Sequence, residues 1–312
     1  MHAFRSILLA ITRLHSSGME LQQAFKLAQD NNASLTVALF DNSIDFIQKI
    51  PFAPLQKKLT DTFHEQIHEE LDRIQTLAWD NGLNLATAVI PGRPRETIFA
   101  LIEKSRCDLV IKLADPSGAL ARHQLTGNDL GLLRKCPVPV LMMADKDQLP
   151  DFTGNILVAM DVSDPDIDVQ KLNIRLLQYG LYLASQEQAK LHIISVWDMP
   201  STHHSLRILS DEELYELQET TQKRYQSIQQ GIASAVGCSL DDESTIHSYI
   251  SRGQPAHEIQ KMANRLNADI IVMGTLGRHN NKILMGNTAE NIINGVYCSI
   301  LAIKPEDYVC PL

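Results

Sequence analysis

The chain has 312 residues, enough for two ordinary domains, and its 44% apolar and 21% charged composition is typical of a globular protein. The net charge of −9 argues against a general nucleic-acid binder, because no strong positive field attracts a polyphosphate backbone. No stretch approaches the roughly 20 apolar residues of a membrane span, and five scattered cysteines indicate reduced thiols. We therefore expect a cytoplasmic protein that binds neither nucleic acid nor membrane.

Short apolar runs alternate with helical patterns along the first half. Strands are predicted near Ser6–Ile11, Leu35–Phe40, Asn84–Val89, Leu109–Lys112 and Val138–Met143, and helices near Glu20–Gln29, Gln56–Asp80 and Thr97–Lys104. Strands that alternate with helices predict an α/β fold in which helices cover both faces of a parallel sheet. Ligands of such folds bind beyond the carboxyl ends of the strands, where the winding reverses.

The second half repeats the first. Arg5–Thr12 matches Gly154–Asp161, Gly92–Ile111 matches Gly253–Val272, and Cys136 with Val138–Leu141 matches Cys298 with Ile300–Ile303. The order of the matches never changes, which predicts a tandem duplication of one domain. We place the two domains at residues 1–147 and 152–306, joined by turn-forming residues near Lys146–Gly154.

A glycine-rich stretch follows the fourth strand of the second copy. Ile270–Met273 predicts a buried strand, Gly274 and Gly277 follow it, and Gly286-Asn287-Thr288 opens a helix. Asn287 or Thr288 is predicted to cap that helix. Glycines let backbone N–H groups approach an anion, and a helix start directs its unbonded donors towards it, so this stretch predicts a phosphate cradle. The alternative is that the glycines are ordinary turn residues.

Three motifs carry a family resemblance. Asp161 ends the first strand of the second copy, Gly253-Gln254-Pro255 precedes a helix, and the spaced glycines 274, 277 and 286 follow the fourth strand. Together they resemble the universal stress protein family, and two copies in one chain are similar to its tandem members. The resemblance implies two tandem domains, each a five-stranded parallel sheet sandwiched by helices, like the adenine nucleotide alpha-hydrolases. It also implies a non-enzymatic role in stress survival, with ATP or AMP bound by some members and no metal required.

The resemblance also assigns residues in the second copy. Asp161 would contact the adenosine part of the nucleotide, and Val196 would pack at the base of the site. The ribose and phosphates would lie against Gly274, Gly277, Gly286, Asn287 and Thr288, although the family places Ser or Thr where Asn287 stands. Residues 278–285 separate the last two glycines, one residue fewer than the family pattern. The alternatives are an adenine-nucleotide hydrolase and a nucleotide-free scaffold.

The first copy lacks these features. Thr12 stands where the second copy has Asp161, Leu113 replaces Gly274, and Pro116 replaces Gly277 and has no N–H to donate. Gly127-Asn128-Asp129 is similar to Gly286-Asn287-Thr288 of the second copy, but the helix that it starts is predicted to be three residues shorter. We therefore expect the first copy to be a structural partner that binds no nucleotide.

Two further expectations concern charge and assembly. Arg278, His279 and Lys282 flank the glycines, and two interpretations are open: they pair with phosphate oxygens, or they are solvated like most exposed loop charges. The His203-His204 pair is interpreted as solvated. In the family, modules pair through their last strands. The resemblance therefore implies an intramolecular pseudo-dimer formed through Val138–Met143 and Ser299–Ile303, and leaves open a homodimer of whole chains.

Overall fold

The computed structural model describes residues 4–12, 18–41, 47, 49–91, 94–114, 125–144, 152–198, 209–240, 245–276 and 285–308. The chain divides into two compact units, Met1–Asp145 and Lys146–Leu312. Over the described ranges, no helix is both long enough and apolar enough to cross a membrane.

The first unit alternates strands and helices as the sequence predicts. Its described elements are β1 (Ser6–Ile11), α1 (Met19–Asn31), β2 (Ser34–Asp41), α2 (Ala53–Asp80), β3 (Leu85–Pro91), α3 (Pro94–Ser105), β4 (Leu109–Leu113), α4 (Gly127–Lys135) and β5 (Val140–Met143). The strands are parallel and lie in the order β3-β2-β1-β4-β5. The predicted elements are all present, and their observed bounds differ from the predictions by no more than about three residues, the usual uncertainty at element ends.

The second unit repeats this topology. Its described elements are β6 (Asn155–Ala159), α5 (Ile167–Glu187), β7 (Lys190–Trp197), α6 (Asp211–Ala235), β8 (Ile246–Arg252), α7 (Pro255–Leu266), β9 (Ile270–Gly274), α8 (Asn287–Gly295) and β10 (Ser299–Ile303). These strands are also parallel and lie in the order β10-β9-β6-β7-β8. The predicted α/β fold, with one five-stranded parallel sheet in each copy, is confirmed.

The central strand of each unit is buried on both faces. Ile7 and Leu8 of β1 and Leu157 and Val158 of β6 are all fully buried. This explains their continuous apolar sequence, because helices cover both faces of a parallel sheet. Helix α5 lies close against the second sheet, where a side chain at Gly180 would clash with Val158.

An aspartate before the fourth strand ties that strand to the first strand in both units. The Asp108 carboxylate accepts hydrogen bonds from the backbone N–H groups of Arg5 (2.8 Å) and Ser6 (3.1 Å). The Asp269 carboxylate accepts one from Asn155 in the same way (2.8 Å). Each aspartate accepts hydrogen bonds from backbone N–H groups at the amino edge of its sheet. The first and fourth strands are therefore aligned in the same way in both units.

The end of the repeat is aligned differently from the sequence prediction. Val110 pairs with Val140 in the first sheet, and Ile271 pairs with Ile300 in the second. Val140, rather than Val138, therefore corresponds to Ile300. The predicted alignment was wrong at this point because it matched two cysteines by residue type, whereas strand pairing fixes which residues are equivalent.

The two helices before the last strands have equal lengths. α4 and α8 each have 9 residues and end at the C-cap residues Cys136 and Val296. Cys136 therefore corresponds to Val296 and not to Cys298. The prediction of a shorter helix in the first copy was wrong for the same reason.

Candidate functional site

The winding of the second sheet reverses between β6 and β9. Strands β7 and β8 lie on one side of β6, and β9 and β10 lie on the other. Ala159, the last residue of β6, pairs with Met273 of β9, and Gly274 then ends β9. The chain segments that leave these two strands therefore begin side by side at the carboxyl edge, where ligands of parallel α/β sheets bind. We call this place the β6–β9 crevice.

Asp161 lies just beyond β6, two residues past the last strand residue, and not at the strand end as predicted. Its backbone N–H donates to the Asn173 side-chain oxygen (3.1 Å), and its backbone carbonyl accepts from the Asn173 amide nitrogen (2.7 Å). Its carboxylate oxygen Oδ1 accepts the backbone N–H (3.1 Å) and the hydroxyl (2.7 Å) of Ser163. Asp161 is therefore held in place by side chains after the strand has ended.

Val196 lies at the same edge of the sheet. It is the penultimate residue of β7, is half-buried, and pairs with Ser251 of β8. Since β7 neighbours β6, Val196 and Asp161 lie at the carboxyl ends of adjacent strands.

Gly274 lies close to helix α5. A Cβ atom at this position would lie 2.9 Å from Cδ2 of Leu172, so the end of that leucine side chain would have to shift. Leu172 belongs to the same helix that carries Asn173. Leu113 holds the equivalent position in the first copy and is buried.

The base of the glycine segment is closed by backbone contacts. Leu276 and Met285 form an antiparallel bridge, and the Gly286 N–H donates to the Thr275 carbonyl at 3.2 Å. The segment therefore leaves and returns at one point beside β9. Gly277, Arg278, His279 and Lys282 belong to residues 277–284, which lie outside the described residues.

Helix α8 begins without a side-chain cap. Gly286 is its N-cap, with extended backbone angles (φ −65°, ψ 141°). Asn287 and Thr288 are the first two helical residues, and both are exposed. The prediction that either residue caps the helix was wrong, because the cap position precedes the helix and glycine occupies it. Glu290 lies in the first turn, where its charge favours the helix start.

Sequence reasoning missed Lys304, which follows β10 directly. Its side chain is buried, with the residue only 3% exposed, and its Nζ atom donates to the hydroxyl of Thr275 at 2.8 Å. The same atom lies 5.3 Å from the ring centroid of Tyr308. The amino group of Lys304 therefore lies at the start of the glycine segment. The signal in the sequence is a lysine directly after an apolar run, which by itself indicates only the end of a strand.

The start of α4 in the first unit contains a buried ion pair. Nζ of Lys112 lies 2.7 Å from a carboxylate oxygen of Asp129, and their side chains are 1% and 0% exposed. The same carboxylate accepts the backbone N–H (3.2 Å) and the hydroxyl (2.8 Å) of Thr126. The Asp129 backbone N–H donates in turn to the Thr126 hydroxyl oxygen (3.3 Å), which completes a capping box. This helix start is thus capped by Thr126, and the carboxylate of Asp129 lies within its first turn.

Strand register and helix length identify the residues equivalent to this pair. Leu109 and Ile270 occupy the same position relative to the first strand of each unit, so Lys112 corresponds to Met273. The two helices match residue for residue, so Asp129 corresponds to Ala289. The second copy therefore has two apolar residues where the first has an ion pair.

A separate polar cluster lies towards the amino edge of the second sheet. The His192 ring is buried, with Nε2 3.0 Å from Oδ1 of Asn155 and Nδ1 3.3 Å from the hydroxyl of Tyr249. It stacks on the His247 ring at a centroid distance of 4.9 Å. Burial, with a smaller contribution from the nearby His247, lowers the pKa of His192 from 6.5 to about 4. The ring therefore stays neutral in the folded domain.

Among the described residues, no group of three or more His, Cys, Asp or Glu side chains is arranged to hold a metal ion. The His203-His204 pair lies outside that part of the chain.

Comparison with known proteins identifies the family. The model of the universal stress protein family matches residues 3–144 and again residues 153–304. The chain belongs to the universal stress protein family. Its two successive matches make it a tandem member of that family, in agreement with the sequence prediction.

The relatives of this universal stress protein include other tandem-length members. Universal stress protein E of Salmonella typhi is 32% identical over 223 residues, which cover 70% of this chain and 68% of the relative. The universal stress protein E homolog of Haemophilus influenzae is 25% identical over 317 residues and matches 97% and 98% of the two chains. The chain is thus a universal stress protein similar to the E-type members.

Solved structures have the same fold over the full length. A functionally unknown protein from Pseudomonas aeruginosa PAO1 superposes with a TM-score of 0.70 at 25% identity, covering 98% of this chain and 94% of that one. A universal stress protein from Archaeoglobus fulgidus gives a TM-score of 0.62 at 18% identity, covering 96% and 98%. The second likeness shows the shared fold alone.

Proposed function

We propose that this universal stress protein is a non-enzymatic, cytoplasmic stress-response protein whose second domain binds ATP or AMP in the β6–β9 crevice. The residues that would hold the nucleotide are Asp161, Val196, Gly274, Gly277, Gly286, Asn287 and Thr288. One observation supports the proposal: Asp161 follows β6 and Gly274 ends the neighbouring β9 where the winding of the second sheet reverses, and Met285 and Gly286 return beside β9 to start α8.

The chemistry of these groups fits the parts of an adenine nucleotide. The partly buried carboxylate of Asp161 suits a hydroxyl or amino donor of adenosine. Phosphates suit the start of α8, because Gly286 adds no side-chain cap and helix starts attract anions. The ammonium of Lys304, held by Thr275, adds positive charge at the same edge. Over its described residues, the first domain has none of these three features at its equivalent edge, and its Lys112 ammonium is paired with the Asp129 carboxylate.

Nucleotide release from the purified full-length chain tests binding. Denaturation followed by mass analysis of the released small molecules is expected to give ATP or AMP in amounts close to one per chain. Asp161→Ala should lose the bound nucleotide, whereas the control Asp168→Ala, which changes an exposed aspartate on α5, should keep it. If the wild-type chain releases no nucleotide and gives no heat when titrated with ATP, the scaffold alternative is correct.

A turnover assay with ATP and Mg²⁺ tests the non-enzymatic part of the proposal. We expect no saturating hydrolysis above about one turnover per second, the lower end of ordinary enzyme rates. A faster, saturable rate that disappears in Asp161→Ala would instead support the adenine-nucleotide hydrolase.

A further inference from the structure

Asn173, a buried residue of α5, makes two hydrogen bonds to the backbone of a single residue, Asp161. Its side-chain oxygen accepts the Asp161 N–H, and its amide nitrogen donates to the Asp161 carbonyl. We infer that Asn173 is a positioning residue of the nucleotide site, and that it acts by fixing Asp161 for the adenosine part of the ligand. This inference rests on the proposed function.

The end of β6 explains why Asp161 needs such a partner. The Met160 N–H still donates to Ile194 of β7 (3.0 Å), so backbone pairing between the strands continues up to that residue. At Asp161 the backbone has left the sheet, and buried backbone groups need other partners. The amide of Asn173 supplies both a donor and an acceptor, as a neighbouring strand would.

The position of Asn173 within a helix also indicates a specific purpose. Asparagine is a poor residue for a helix interior, and Asn173 is 1% exposed, so an apolar side chain would ordinarily suit the position better. Its neighbour Leu172 packs over Gly274. Two consecutive residues of α5 therefore lie at the two sides of the β6–β9 crevice, Leu172 next to Gly274 and Asn173 bonded to Asp161.

Ser163 completes the constraint on Asp161. Its backbone N–H and its hydroxyl both donate to Oδ1 of the Asp161 carboxylate. Asn173 thus fixes the main chain of Asp161, and Ser163 fixes the orientation of its carboxylate. A carboxylate held in this way loses less conformational entropy when it binds a ligand.

The alternative role for Asn173 is only to satisfy buried backbone groups. The two roles differ in which part of the ligand they affect. A positioning role acts through Asp161 and therefore on adenosine, whereas general damage to the domain would weaken the binding of phosphates as well.

The test compares ATP with inorganic tripolyphosphate, which lacks adenosine, by calorimetric titration of the full-length chain. Asn173→Leu removes both hydrogen bonds and keeps the number and branching of the side-chain heavy atoms. It is expected to weaken ATP binding about tenfold, as the loss of one to two hydrogen bonds would, and to leave tripolyphosphate binding unchanged. Ser163→Ala should shift ATP binding in the same direction by a smaller factor.

A matched control comes from the same domain. Gln229 is fully buried and bonds to Ser195 (2.8 Å) and Ser248 (2.6 Å) on β7 and β8. Gln229→Leu removes a buried amide of the same kind without touching Asp161. We expect it to lower stability, with the ratio of ATP affinity to tripolyphosphate affinity unchanged.

Amide hydrogen exchange at Asp161, followed by NMR, tests without a ligand the contact on which the inference depends. The Asp161 amide should be protected in the wild type and exchange quickly in Asn173→Leu, while the amides of β6 stay protected. If the wild type binds no ATP, the proposed function fails, but this exchange result still shows whether Asn173 holds Asp161. Retained protection at Asp161, or equal losses of ATP and tripolyphosphate affinity in Asn173→Leu, would overturn the inference.

Discussion

The two copies place a nine-residue helix at the same position but start it with opposite chemistry. α4 begins with a capping box in which the Asp129 carboxylate meets both Thr126 and the ammonium of Lys112. α8 begins at Gly286, which adds no side chain, after a glycine segment closed at its base. An anion favours any helix start. The first copy supplies that anion from its own chain, whereas we propose that the second takes it from a ligand.

This difference shows how a duplicated domain can keep its fold and change its role. Strand order and strand register are the same in both copies, and the helix before the last strand has nine residues in each, whereas several side chains at the carboxyl edge of the sheet differ. In the first copy, Lys112 and Asp129 form a buried ion pair at the positions that Met273 and Ala289 occupy in the second copy. Substitutions at the two helix starts and at nearby buried positions test this difference between the copies.

Breaking the ion pair of the first domain should have the largest effect on stability. Asp129→Asn leaves the buried Lys112 ammonium without its carboxylate, so we expect a loss of about 3–5 kcal/mol in the free energy of unfolding. The control Glu219→Gln, in an exposed pair with Lys223, should cost less than about 1 kcal/mol. Urea unfolding measures both, and equal small losses would contradict the importance of the ion pair.

Grafting the second copy's residues onto the first should restore much of that loss. Lys112→Met combined with Asp129→Ala introduces the residue types found at positions 273 and 289. Because no buried charge is left unpaired, the double variant should be more stable than Asp129→Asn. A double variant less stable than the single one would show that the two positions are not structurally equivalent.

Acid should destabilise the second domain selectively through His192. Its pKa is about 4 in the folded domain, against 6.5 ordinarily, because burial disfavours the charged ring. The unfolded chain therefore takes up this proton at higher pH than the folded domain does. Stability is fully present above pH 6.5 and is lost as the pH falls from 6.5 towards 4. The first domain has Thr36 at the equivalent position, so it has no buried histidine there to take up a proton.

Urea unfolding at a series of pH values measures this loss. His192→Gln should flatten the pH dependence of the second domain between 6.5 and 4. His257→Gln, at an exposed position on α7, is the control and should retain the slope. An unchanged slope in His192→Gln would assign the acid sensitivity to another group.

Gly274→Ala tests whether packing explains this glycine. The added methyl group would press on Leu172, so we expect a loss of about 1 kcal/mol that Leu172→Ala relieves in the double variant. The control Gly231→Ala lies in α6, where an added Cβ meets nothing within 4 Å, and should stabilise the helix by about 0.5–1 kcal/mol. Thermal unfolding measures all three variants, and additive effects at 274 and 172 would exclude the packing explanation.

The two helix starts should respond differently to alanine. Thr126→Ala removes the cap of α4 and should cost about 1 kcal/mol. Thr288→Ala changes an exposed residue inside α8 that caps nothing, so stability should change by less than about 0.5 kcal/mol. Similar losses in the two variants would contradict the assigned caps.

Sequence alone predicted the fold well because its signals are repeated. Apolar runs such as Ile7–Ile11 and Ile156–Ala159 occupy equivalent positions in both copies. The alternation of strands with helices predicted an α/β fold with a parallel sheet. The site was harder to predict. Asp161 and Gly274 were named from motifs, but their shared contact with α5 depends on residues 172 and 173, which carry no motif.

Other errors have physical causes of the same kind. The ion pair between Lys112 and Asp129 joins residues 17 positions apart, and nothing local in the sequence links them. The cap of α8 was predicted one or two residues too late, at Asn287 or Thr288, because Gly286 was interpreted as a loop glycine. Pairing of the two copies through β5 and β10, and a homodimer of whole chains, stay predictions.

The number of ATP molecules bound per chain tests the central difference between the copies most directly. Calorimetric titration of the full-length protein is predicted to give one site, which Asp161→Ala abolishes and Thr12→Ala leaves intact. Two sites, or one site that survives Asp161→Ala, would contradict the assignment of nucleotide binding to the second domain alone.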